Sequence, residues 1–188
     1  MSMTLITGGA ASGKSKFAER LVRASSCRRR IYLATMQPYG PEAEQRIRKH
    51  RDRRAADGYE TVECYRDLEQ SVFPAADSVV LLDCLGNLAA NELFRELERP
   101  GAPDRLPDPE TAREQALSRM LRGIFAWNNA CSELLLVTNE VGGGGSRYAG
   151  DTDTYLSLLG TLNREVAARA DRVVKVSCGL PEVWKGTL

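Results

Sequence analysis

The sequence holds five cysteines, at 27, 64, 84, 131 and 178, scattered and without a C-x-x-C pair. That odd, dispersed set indicates neither a disulfide framework nor a zinc site, and a reducing cytoplasm suits it. Charge of one sign is also missing. Twenty-six Lys and Arg nearly cancel twenty-five Asp and Glu, so the whole chain gives no electrostatic reason to expect a nucleic-acid partner or an anionic membrane surface. No apolar run reaches membrane-spanning length, and the first residues lack the basic start and long apolar region of a secretory signal, so a soluble cytoplasmic protein is expected. There is no internal repeat and no long low-complexity tract. At 188 residues, a single domain covering 1–188 can bury a substantial core unaided.

Against these absences, the stretch from Gly8 to Ser15, GGAASGKS, stands out. Gly8, four residues, then Gly13, Lys14 and Ser15 form the phosphate-cradling P-loop, set between an apolar run (3–7) and a segment with Phe17 and Leu21 four apart. Glycine lets the backbone of Gly8, Gly9, Ala10, Ala11, Ser12 and Gly13 curl so that several N–H groups face one anion, and the helix that follows adds its positive end. Lys14 then supplies a charge for the outer phosphates and the Ser15 hydroxyl a ligand for Mg2+. A glycine-rich turn that merely starts a helix would need none of this context.

Apolar, β-branched runs recur at 3–7, 30–35, 78–83, 133–138 and 172–177, separated by segments of helical period. The alternation predicts an α/β fold: a P-loop NTPase-like, mostly parallel central sheet flanked by helices. Three apolar stripes are expected in the core: Leu85, Leu88, Ala89, Leu93, Phe94 and Leu97; Met120, Leu121, Ile124 and Phe125; Tyr155, Leu158, Leu159, Leu162 and Val166. The proline-rich stretch 99–109 is expected to be a surface connection between two helices.

In such a sheet, ligands collect at the carboxyl ends of strands. Asp83, after the run VVLL, is placed to reach the Mg2+ of the P-loop, although aspartate there could instead cap the next helix. Asn139 and Glu140 end another strand, followed by the glycines 142–145, which any exposed loop could use. The third end leads into residues 41–58, where Arg46, Arg48, Lys49, Arg51, Arg53 and Arg54 surround His50, the one histidine of the chain. On a helix, Arg46, His50 and Arg53 or Arg54 share a face. A solvated charged helix with Glu42 to Arg46 and Glu44 to Arg48 pairs explains the composition equally. The functional reading is that surrounding cations keep the imidazole neutral, hence nucleophilic, and draw in a triphosphate.

Together these segments resemble one family, the bifunctional adenosylcobinamide kinase and adenosylcobinamide-phosphate guanylyltransferase of cobalamin biosynthesis. LITGGAASGKSKFAE is similar to its P-loop opening, IYLAT to its second strand, RIRKHRDRR to its guanylylated-histidine segment, VVLLDCLGNLAAN to its strand with an acidic end, and LLLVTNEVG to its Thr-Asn-Glu-Val-Gly motif. The resemblance implies that ATP or GTP phosphorylates adenosylcobinamide. It further implies that His50 takes GMP from GTP and passes it to adenosylcobinamide phosphate, giving adenosylcobinamide-GDP, with Lys14 catalytic and Arg54, Asp83 and Glu140 among the nucleotide-binding residues. It also implies a homotrimer. The chain departs from the family pattern at Ala55, Tyr59, Tyr155-Leu156-Ser157 and Asn163-Arg164.

Three rivals make different demands. A P-loop kinase of another small metabolite would use Lys14, Ser15 and Asp83 but no covalent histidine. A GTPase switch would carry an Asn-Lys-x-Asp guanine signature, which is absent. A nucleic-acid surface at 46–54 would call for aromatic residues interleaved with the arginines.

Overall fold

The structure is a computed structural model describing residues 1–38, 40–73, 76–97, 108–141 and 148–187; within its helices the side chains of 41–44, 46, 49, 50, 53 and 96 are outside the description. In chain order the elements are β1 (Ser2–Thr7), α1 (Lys14–Ala24), β2 (Arg29–Ala34), α2 (Gly40–Ala56), β3 (Tyr59–Glu63), β4 (Ser78–Asp83), α3 (Leu85–Leu97), α4 (Pro109–Ala130), β5 (Glu133–Val137), α5 (Asp151–Arg169), β6 (Arg172–Ser177) and β7 (Leu180–Lys185), with a short 3-10 turn at Leu68–Gln70. No helix among the described residues is long and apolar enough to cross a membrane.

The strands form one sheet in the order β3-β2-β4-β5-β1-β6-β7, parallel except for β7, which pairs antiparallel with β6. Because strand side chains alternate, β4 sends Val79 and Leu81 to one face and Val80 and Leu82 to the other, all essentially without solvent contact. Two cores result. Val79 and Leu81 join Phe17, Ala18 and Val22 of α1. Val80 and Leu82 join Leu85, Leu88 and Leu93 of α3, Met120, Ile124 and Trp127 of α4, and Leu158, Leu159 and Leu162 of α5. Burying both faces explains why the central strands read as unbroken apolar runs.

The expected stripes are core or packed against it, with one exception: Phe94 is 38% exposed. Of the proline-rich connection, residues 99–107 lie outside the described residues; at its end Asp108 caps α4, its carboxylate accepting from the Thr111 amide at 3.0 Å, and Pro109 opens the helix. Two strands go beyond the expected five. β3, YETVE, and β7, LPEVWK, are the sheet's two edges, where little apolar surface is needed and proline is tolerated. The β6–β7 turn runs through Cys178 (φ 53°) and Gly179 (φ 80°), a two-residue connection of the kind that suits twisted hairpins.

Candidate functional site

The loop between β1 and α1 owes its shape to contacts a side chain would spoil. A Cβ at Gly8 would lie 2.4 Å from the Val176 carbonyl oxygen and 2.6 Å from Ser12 Oγ. Gly13, the residue before α1, has φ 93°, which glycine alone adopts without strain. Lys14 is buried and its Nζ donates to the Gly9 carbonyl at 2.9 Å, so the ammonium curls over the loop that precedes it. Ser12 Oγ is buried with no hydrogen-bond partner, an orphaned polar atom inside an anion-binding loop. Ala10 and Ala11 are exposed at its crest.

Beside this loop, at the carboxyl ends of β2, β3 and β4, lies a cavity of 350 Å³. Ser15 of α1 and Asp83 of β4 both line it, and its far wall is α2, through Ile47, Arg51 and Arg54. Those three positions repeat every three to four residues, as one face of a helix does. Asp83 is not the cap of α3. Cys84 holds that place, its carbonyl accepting from the Leu88 amide at 3.3 Å, and the Asp83 carboxylate is left for the cavity. A serine hydroxyl, one carboxylate and incoming phosphate oxygens form a hard oxygen donor set that fits Mg2+. Among the described residues no group of three or more His, Cys, Asp or Glu could hold a metal by itself.

Arg54 sits with its guanidinium carbon 3.2 Å above the Tyr32 ring, a cation-π contact that fixes the guanidinium inside the cavity. Tyr32 in turn donates to the Asp83 carbonyl at 3.4 Å. Burial above all pushes its phenol well above the usual tyrosine range; the Asp83 charge adds to this and Arg54 opposes it. Burial likewise raises the Cys84 thiol, with the nearby Lys14 charge pulling the other way, so loop lysine and strand end share one electrostatic neighbourhood.

At the other end of the cavity are Glu63 and Tyr65. The Tyr65 hydroxyl donates to Glu63 Oε2 at 2.8 Å and Arg51 stands 3.6 Å from Glu63 Oε1. Burial and then that hydrogen bond raise the Tyr65 phenol to about 12. The loop carrying Tyr65 is pinned from α3. Buried Asn91 donates to the carbonyls of Thr35 (2.8 Å) and Tyr65 (3.0 Å), and the carboxylate of Glu92, 1% exposed, accepts from the Asp67 amide (2.7 Å) and from Arg119 (3.0 Å).

The residues expected from sequence are thus distributed unevenly. Ser15, Asp83, Arg51 and Arg54 meet at one cavity, and Asn139 joins them. Glu140 is not among the lining residues: it is exposed, pairs with Lys175 at 3.2 Å and borders a different hollow beside α5. The backbone of position 50 lies within α2, whereas the His50 side chain, like those of Arg46, Lys49 and Arg53, is outside the described residues, as are glycines 142–145. Tyr32, Ile47, Glu63, Tyr65 and Asn91 were not singled out from sequence. Reading YETVE as a strand would have exposed Glu63 and Tyr65 as a strand end; a polar Asn91 within an apolar helical stripe was the other available signal.

Comparison with known proteins fits this geometry. A family model described as CobU, cobinamide kinase / cobinamide phosphate guanyltransferase, matches residues 4–183. The bifunctional adenosylcobalamin biosynthesis protein CobU of Salmonella typhimurium is 34% identical over 185 residues, 95% of this chain and 97% of that protein. The bifunctional adenosylcobalamin biosynthesis protein CobP of Pseudomonas aeruginosa is 33% identical over 184 residues, 97% and 96% of the two chains. Among solved structures, a prototypical ATPase from the type III secretion system of pathogenic bacteria superposes with a TM-score of 0.52 at 12% identity, over 97% of this chain and 56% of that one, a likeness of fold alone.

Proposed function

The chain belongs to the cobinamide kinase / cobinamide phosphate guanyltransferase family, and from that premise we propose that it phosphorylates adenosylcobinamide and then transfers GMP from GTP to adenosylcobinamide phosphate through a guanylylated His50. Membership makes the chain a kinase and a nucleotidyltransferase. The observation that carries the finer reading is the shared cavity. The phosphate loop's Ser15, the Asp83 carboxylate and the Ile47–Arg51–Arg54 face of α2 all border it, and position 50 falls three residues after Ile47 and four before Arg54.

In the kinase step the hydroxyl oxygen of the aminopropanol arm attacks the γ-phosphorus, the bond to the β,γ-bridging oxygen breaks, and the diphosphate departs as the hydroxyl proton is lost. In the transfer step an imidazole nitrogen of His50 attacks the α-phosphorus of GTP. The P–O bond to the β-phosphate breaks and pyrophosphate leaves with the electron pair. An oxygen of the acceptor phosphate then attacks the same phosphorus, the P–N bond breaks, and the pair returns to the ring. Arg54, held over the Tyr32 ring, and Arg51 supply fixed positive charge toward the oxygens where negative charge develops, and Lys14 does so from the loop. Mg2+, held by the Ser15 hydroxyl and Asp83, would neutralise phosphate charge there.

The test is incubation with GTP labelled at the α-phosphate, without corrinoid, then denaturation and mapping of retained label. An acid-labile adduct on His50 that discharges onto adenosylcobinamide phosphate is expected, with His50→Ala losing it while still phosphorylating adenosylcobinamide. No retained label under conditions where GTP binds would leave a kinase without the covalent step. The same reading takes residues 1–188 as one catalytic unit acting in the cytoplasm as a homotrimer; light scattering that returned a monomer mass would remove the trimer.

A further inference from the structure

The nucleotide cavity continues outward past β3. Glu63 and Tyr65, which line it, also line a hollow of 240 Å³ against Ile47, Arg48 and Arg51 of α2, and a third of 560 Å³ that opens to solvent over the sheet edge. The third is walled by Gln37, Val62, Tyr65, Arg66, Gln70 and Val72. The nucleotide chemistry uses none of its outer wall.

We propose that this edge hollow is the acceptor subsite, seating the amide-fringed corrinoid ring, with Tyr65 as the divider between acceptor and nucleotide. The inference rests on the function proposed above. Position is the first support. The small hollow lined by Arg48 and Arg51, cations suited to the acceptor's phosphate, shares Glu63 and Tyr65 with both the edge hollow and the nucleotide cavity.

The second support is an orphaned donor. Arg66 Nε is buried and has no hydrogen-bond partner, although its residue lines the hollow. Buried donors are supplied with acceptors in native structures, and a carboxamide or phosphate oxygen would be one. Chemistry is the third. Gln37 and Gln70 carry the same amide group as the corrinoid fringe, while Val62 and Val72, the latter 87% exposed, offer apolar contact to the ring.

The wall is also rigid before any ligand arrives. Trp127 donates to the Leu68 carbonyl at 3.2 Å and to Ser71 Oγ at 2.9 Å; Gly123 of α4 admits the Leu68 turn so closely that a Cβ there would stand 2.5 Å from Leu68 Cβ. Asn91 and Glu92 fasten the other end. A subsite held in this way spends little binding energy on ordering itself.

Val72→Asp and Arg66→Met test the assignment. Equilibrium dialysis of adenosylcobinamide, read by its visible absorbance, should show each variant binding roughly tenfold more weakly, the effect of losing one good contact or hydrogen bond to a buried donor. The α-phosphate label taken from GTP without corrinoid should stay at the wild-type level. Unchanged dialysis in both variants, absence of corrinoid binding by the wild-type protein, or loss of label in parallel with corrinoid would each overturn the subsite. Whether the wild-type protein takes up label at all judges the transferase reading separately.

Discussion

Replacing Glu92 by leucine tests the brace behind the cavity. The carboxylate is 1% exposed and holds two donors, the Asp67 amide at 2.7 Å and Arg119 Nε at 3.0 Å. Leucine fills similar volume, so the lost stability measures the polar contacts rather than a void. Stranding a buried amide costs about 1–3 kcal/mol, and removing one partner of a buried ion pair about 3–5 kcal/mol in all. Since a domain of this size has only about 5–15 kcal/mol to lose, the variant should remain folded but be visibly weakened. With a urea dependence of about 2 kcal/mol per molar, the unfolding midpoint should fall by roughly 1.5–2.5 M. Arg119→Met added to Glu92→Leu should recover part of the loss, because removing both charges leaves fewer groups stranded. A Glu92→Leu midpoint within experimental error of wild type, or a double variant no better than the single, would refute the brace.

Three further outcomes follow from the geometry. Gly8→Ala forces a Cβ to within 2.4 Å of the Val176 carbonyl, so the loop must shift; stability should drop by about 1–3 kcal/mol and calorimetric nucleotide affinity at least tenfold, and wild-type affinity would contradict the close approach. Arg54→Lys keeps the charge but loses the guanidinium's contact over the Tyr32 ring, worth about 1 kcal/mol, so nucleotide should bind about fivefold more weakly; equal affinity would show that this contact does not orient the cation. Burial raises the phenols of Tyr59 and Tyr65 to about 12, above an unfolded value of about 10. The folded chain therefore keeps protons that the unfolded chain has released, and the stability these tyrosines contribute, complete below pH 10, declines as pH rises from there toward 12. An absorbance titration should show a late-ionising class of phenols, reduced by Tyr65→Phe; ionisation of every tyrosine near pH 10 would dispose of this.

The central strands were legible because both of their faces are buried, which forces runs such as VVLL and LLLV into the sequence. The edge strands were not: β3 buries only Tyr59, with Val62 half-buried against the other core, and β7 is exposed along its whole length, so neither leaves a continuous apolar run. The site followed the same division. Gly8, Lys14, Ser15 and Asp83 were singled out by local spacing and strand-end rules and Arg54 by helical period, and Ser15, Asp83 and Arg54 line one cavity. Tyr32, Tyr65 and Asn91 owe their positions to which strands and helices become neighbours, information carried by the whole sheet order rather than by any short stretch.

The turn joining β6 to β7 does more than reverse the chain. Its Gly179 amide donates to the Ser12 carbonyl at 2.8 Å, and its Cα is what a Cβ at Gly13 would meet at 3.2 Å. The phosphate loop is encoded within the first fifteen residues yet is buttressed by a turn more than 160 residues later. During synthesis the motif therefore emerges some 160 residues ahead of this support, so a nascent chain halted before the hairpin carries the phosphate-binding sequence without the braced loop. Nucleotide retention becomes a report on whether the last hairpin has docked.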